Sequence, residues 1–162
     1  MSDGDWWGLA RAAHVIGVVL WIGGVAMVTT VLLPALAKGS ADADALALFE
    51  RLEQDFGRQA RWTTALVGIT GFYLTVALDL WHRFAEPRYW WMSAMVAIWA
   101  IFTLLLFVLE PLVLHRWFAA RARRDPAGTL RIVLSLHRVL LVLSVLTIAG
   151  AVAGSHGVFF FG

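Results

Sequence analysis

Residues 12–37 read Ala12-Ala13-His14-Val15-Ile16-Gly17-Val18-Val19-Leu20-Trp21-Ile22-Gly23-Gly24-Val25-Ala26-Met27-Val28-Thr29-Thr30-Val31-Leu32-Leu33-Pro34-Ala35-Leu36-Ala37, 26 positions without a charged side chain. A helix crosses a hydrocarbon core with about 20 apolar residues, so this stretch spans a membrane with turns to spare. Three more uncharged stretches follow, 62–78 (17 residues), 89–109 (21) and 139–162 (24). With the first they cover 88 of the 162 residues, and the whole chain is 60% apolar and only 15% charged. The expectation is an all-α integral membrane protein: a single-domain, up-down four-helix transmembrane bundle with spans near 8–36, 60–82, 89–117 and 129–158. That composition excludes a secreted disulfide scaffold, a nucleotide-binding α/β enzyme and a nucleic-acid binder. Without cysteine there is no disulfide framework, thiolate nucleophile, iron–sulfur cluster or c-type haem attachment.

The opening Met1-Ser2-Asp3-Gly4-Asp5 is acidic where a cleavable signal is basic, so the first span is expected to stay in the membrane. Basic residues resist translocation. Lys38, Arg51, Arg58, Arg61, Arg116, Arg121, Arg123, Arg124 and Arg131 fall in the first and third connections, against Arg11, Arg83 and Arg88 on the other side. Nine against three predicts a bacterial inner-membrane protein with both termini outside, in the periplasm of a Gram-negative host.

Tryptophan marks the same boundaries. Trp6, Trp7, Trp81, Trp90 and Trp91 fall at outer span ends and Trp62 and Trp117 at inner ones, where amphipathic indoles meet headgroups. Trp21 and Trp99 lie near mid-membrane, as packing residues or as a wall for a flat cofactor. Leu46, Phe49, Leu52 and Phe56 recur at helical spacing among charges, which predicts a short interfacial helix in the first cytoplasmic loop. Asp125-Pro126-Ala127-Gly128 is turn chemistry, and Glu86-Pro87 separates the second span from the third.

Function is sought among polar residues at membrane depth, because such groups are costly there and usually retained for a purpose. By helical rise, His14, His82 and His156 lie near the outer boundary, and His115 and His137 toward the inner one. The face of His14 continues through Gly17, Trp21 and Gly24, and His156 follows Gly150 and Gly154 in an almost side-chain-free run. The first and last helices of an antiparallel bundle are neighbours, so His14 and His156 are candidate ligands of a b-type haem, with Gly17, Trp21, Gly24 and Gly154 forming its slot and His137 a weaker candidate. The same two histidines with His82 are candidate ligands for copper or zinc. Glycine faces serve bare helix contact equally well.

At the inner side Glu110 and Arg138 lie at similar depth on the third and fourth spans, which predicts a structural ion pair between them. Glu110, His137 and Arg138 together are the alternative, a proton or quinone-headgroup site. Asp79 is expected to snorkel or to pair with Arg83.

The run from His14 through Trp21 to Gly23-Gly24 resembles the His-x6-Trp-x-Gly/Ala-Gly opening of the CopD-like and HemJ-like small bacterial membrane proteins. Arg61 to Tyr73, with Gly68 and Gly71, looks like the second helix of that group, and Leu136-His137-Arg138 with Gly154-Ser155-His156-Gly157 like its last. HemJ-like proteins are implicated in protoporphyrinogen oxidation with a bound haem, so the resemblance implies a ligand role for His14. The chain departs from that group after Gly24, where Met27-Val28-Thr29-Thr30 stands in place of Tyr-Leu-Pro-Arg, and no intramembrane lysine follows. CopD-like proteins are associated with copper movement, yet the four methionines form no Met-rich path.

Two classes of function follow. One is a haem b redox protein passing electrons between a membrane or quinone donor and a membrane or periplasmic partner on the outer face. The other is a copper-handling protein using the same outer histidines; an accessory subunit of a larger membrane complex stands beside them. The partners expected are the lipid bilayer, a quinone and a redox protein, with room for a homo-oligomer and no nucleic acid.

Overall fold

A computed structural model describes residues 3–38, 43–114, 121, 124–159 and 161, and no strand occurs among them. His115 and Trp117 lie outside the described residues. Among the described residues five α-helices carry the fold: α1 (Asp3–Met27), α2 (Leu33–Lys38), α3 (Ala43–Ala77), α4 (Trp90–Leu104) and α5 (Pro126–Ser155). Two π-helical segments, Val28–Leu32 after α1 and Leu105–Leu114 after α4, continue those helices without a break in the chain direction. Three helical stretches are long and apolar enough to cross a membrane, Gly4–Leu36, Pro87–Leu112 and Ala127–Ser155. The protein is therefore an all-α membrane protein.

The fourth long helix, α3, carries the uncharged run 62–78 in its second half. Its 35 residues correct the expectation of a separate interfacial helix, because the charged segment around Phe56 and the apolar run are one uninterrupted helix. No proline falls within it. At about 1.5 Å per residue it is roughly 50 Å long, longer than an apolar core of about 30 Å, and it is not among the three stretches apolar enough to cross a membrane.

α1 lies along α3, α4 along α5, and the α3–α4 and α1–α5 contacts close the ring. Its centre is Trp21, Ile22, Val25, Val67 and Phe102, all buried, with Trp21 edge-on to Phe102 at 4.9 Å between ring centroids. Large residues such as Val19, Ile69, Phe72 and Leu112 face outward, as on a surface solvated by lipid rather than water.

The ends follow local chemistry. Asp125 caps α5 by accepting from Gly128 N–H at 2.8 Å, with Pro126 in the first turn where a missing N–H costs nothing. α3 stops in a paired turn: Leu80 N–H reaches Thr75 O and Asp79 N–H reaches Val76 O, with Asp79 left-handed at φ 48°. Asp79 thus ends a helix, and its carbonyl accepts from His82 Nδ1. α5 stops the same way, through Val158 N–H to Ala153 O and Gly157 N–H to Gly154 O, with Gly157 at φ 84°.

Candidate functional site

The polar groups inside the bundle gather at two levels. Nearer the chain ends, His14 of α1 turns toward α3, where its Nδ1 lies 3.1 Å from Val67 O and 3.0 Å from Thr70 Oγ1. Thr70 gives its own proton to Leu66 O at 2.7 Å, so its oxygen is an acceptor toward the histidine. Both partners accept, hence Nδ1 carries the proton and donates, which in the neutral form of the ring leaves the lone pair on Nε2. Gly71 makes room: a Cβ there would stand 3.1 Å from His14 Cε1. The ring is half-buried and fixed by a neighbouring helix, the arrangement that orients an imidazole presenting Nε2 to a metal or a proton.

Each other described histidine is tied to the backbone of its own segment. His137 Nδ1 is 2.9 Å from Val133 O, His82 Nδ1 3.0 Å from Asp79 O, and His156 Nδ1 2.8 Å from Val152 O. His82 and His156 are exposed. Among the described residues no three His, Asp or Glu side chains converge as a metal-ion site, so His14, His156 and His82 are not brought together.

The slot expected between α1 and α5 is filled. Trp91 lies on Gly154, Trp90 on Gly150, Phe56 on Gly24 and the Val67 side chain on Gly17. Trp21 is a core residue against Phe102 rather than a wall. A porphyrin between the His14 and His156 faces does not fit this packing, and the His156-Gly157 pair is the stop of α5. Of the candidate ligands, His14 alone is fixed by a neighbouring helix with Nε2 left as a nitrogen donor.

Toward the other end, the expected Glu110–Arg138 pair is replaced. Glu110 Oε1 is 3.0 Å from Arg61 Nη2 of α3, and Arg61 Nε donates to Leu106 O at 3.2 Å. The second bond has a covalent cause. In a π segment the carbonyl of residue 106 awaits the N–H of residue 111, which is proline and has none. Arg138 is exposed on α5, lining a shallow groove with Val139, Val142 and Leu143, and makes no ion pair with the described residues. His137 and Arg138 therefore do not join Glu110 in one polar site.

Sequence reasoning missed Thr70, Val67 O and Arg61. The signal for Arg61 was Pro111, which orphans a carbonyl wherever it interrupts a helix; the signal for Thr70 was the small residue Gly71 beside it at the depth of His14. The fold and site thus define an all-α membrane protein with, among the described residues, one interhelically fixed imidazole. No family model, no curated protein and no solved structure matches the chain.

Proposed function

We propose that this chain is a four-span protein of the bacterial inner membrane, both termini outside, that holds a b-type haem through Nε2 of His14 and passes electrons between a membrane or quinone donor and a partner on the outer face. The observation that carries it is the Nδ1–H of His14 fixed on Val67 O and Thr70 Oγ1 at 3.1 and 3.0 Å, which leaves Nε2 as the donor. Haem is favoured over a bare copper ion because copper or zinc needs several protein donors gathered in space, and the described residues supply no such cluster. Bound haem would supply one-electron redox chemistry; the chain's part is the nitrogen donor, its orientation by α3, and the apolar surroundings that set the potential. The resemblance of the His14–Gly24 run to CopD-like and HemJ-like proteins supports the same residue, and the nine-to-three division of basic residues supports the orientation.

The aromatic rings seated on Gly24, Gly150 and Gly154 favour a second reading, an accessory subunit whose glycines serve helix contact alone. The full chain purified from cells supplied with excess haem precursor separates the two. A red protein with a Soret band that shifts on dithionite reduction, lost in His14→Ala and kept in His156→Ala, is the expected outcome. A colourless wild-type protein overturns the haem reading and leaves the accessory one.

A further inference from the structure

Along the seam between α3 and the second π segment runs a groove of about 270 Å³ lined by Arg58, Arg61, Trp62, Ala65 and Phe107. Its residues are graded with depth. Measured down α3 from Leu78 by helical rise, Arg58 lies about 30 Å away, Arg61 about 25 Å and Ala65 about 20 Å. With α3 read, as in the proposed four-span topology, as crossing a hydrocarbon core about 30 Å thick from Leu78, Arg58 is level with headgroups, Arg61 lies a turn beneath, and Ala65 and Phe107 form an apolar floor facing the acyl region. Trp62, 75% exposed, stands at the side of the groove where an indole meets the interface.

From this grading we infer that the groove is a binding site for one anionic phospholipid of the adjoining leaflet, its phosphate held by Arg58 and Arg61 and an acyl chain laid over Ala65 and Phe107. The occupant follows from the setting, since a groove open to the bilayer is filled by lipid, and guanidinium groups above an apolar floor match a phosphate above a chain. Both arginines already have carboxylate neighbours. Arg58 pairs with Asp55 at 2.7 Å, but both side chains are largely exposed, 74% and 69%, so that pair is weak and easily shared with a phosphate. Arg61 spends Nε on Leu106 O and Nη2 on Glu110, and has Nη1 left for the lipid. The inference requires only that these helices cross a bilayer, and stands or falls apart from any cofactor.

The test is native mass spectrometry of the full chain released from nanodiscs containing equal amounts of phosphatidylglycerol and phosphatidylcholine. Wild type should retain phosphatidylglycerol preferentially, and Arg58→Gln should lower that retention about fivefold, the change expected for one basic residue at a membrane surface. Arg58→Lys should keep most of it, Trp62→Ala should lower retention of both lipids, and millimolar inorganic phosphate should not compete. Arg61 is left intact because it also holds the helix seam, and unfolding of a variant is excluded by its melting temperature in lipid-free detergent. Equal retention of the two lipids by wild type, unchanged phosphatidylglycerol retention in Arg58→Gln, or displacement by inorganic phosphate would each overturn the proposal, the last by making the groove a simple anion site.

Discussion

Arg61 and Glu110 close the seam between α3 and the second π segment, 3.0 Å apart, and the same guanidinium takes the carbonyl of Leu106 that Pro111 leaves without a donor. One side chain thus answers both a charge and a backbone defect. Their side chains are 39% and 44% exposed, so the pair lies between a surface bridge and a buried one.

Loss of either partner is expected to cost about 1–3 kcal/mol, between the surface and buried limits. Glu110→Gln and Arg61→Gln should each lower the melting temperature in detergent, and the double variant should lose less than the two single losses added together. Arg61→Lys keeps the charge but not the fork that serves two acceptors, so it should restore only part of the stability. Arg138→Met, which removes an exposed charge with no ion-pair partner among the described residues, should leave stability equal or higher. Additive losses at positions 61 and 110 would contradict the coupling.

The tautomer of His14 is open to direct measurement. In protein labelled with ¹⁵N at histidine and freed of cofactor, the His14 resonances should show the proton on Nδ1 and a bare Nε2. Thr70→Val removes one of the two acceptors and should weaken that preference while Val67 O retains part of it. An Nε2–H tautomer in the wild type would remove the basis for a ligand role.

Glycines on this bundle should answer alanine in opposite senses. A Cβ at Gly24 or Gly154 overlaps the ring of Phe56 or Trp91, so Gly24→Ala and Gly154→Ala should destabilise by about 1–3 kcal/mol. Nothing stands within 4 Å of a Cβ at Gly23, so Gly23→Ala should be neutral or stabilise by up to about 1 kcal/mol through helix propensity. Equal effects at positions 23 and 154, read from thermal melts, would mean that the indole of Trp91 does not rest on Gly154.

Topology is accessible because the chain has no cysteine of its own. A cysteine placed at Ser2 or Gly162 should react with a membrane-impermeant thiol reagent in spheroplasts, and one at Ala127 should not. The opposite labelling would invert the orientation.

Three of the apolar runs and the Asp125-Pro126 turn ahead of the last helix were legible in the sequence, because they depend on composition and on neighbours within a few residues. His14 was singled out as well, though not the helix toward which it turns. Depth along a helix follows from counting residues, whereas azimuth requires a constant angle per residue, and the two π segments break that constancy. Beyond Leu105 each residue turns through a smaller angle than in an α-helix, so a wheel drawn at the usual pitch misplaces Glu110, which faces α3 and Arg61 instead of α5 and Arg138. The interfacial segment was misjudged for a different reason. Its charges suggested a separate element, but nothing in the sequence between Phe56 and Trp62 interrupts a helix strongly enough to end it.

The indoles of Trp90, Trp91 and Trp99 and the ring of Phe56, each laid on a glycine of the facing helix, act as pawls. Moving α4 along α5 by a single residue would carry Trp91 from Gly154 onto a position that bears a β-carbon, and the same holds for Trp99 over Gly68. Lengthwise slippage is therefore barred while small changes of crossing angle are not. If this protein changes shape in use, its helices should pivot about these ring-on-glycine points rather than piston past one another. In inherited sequence the ring and its glycine should be replaced only together.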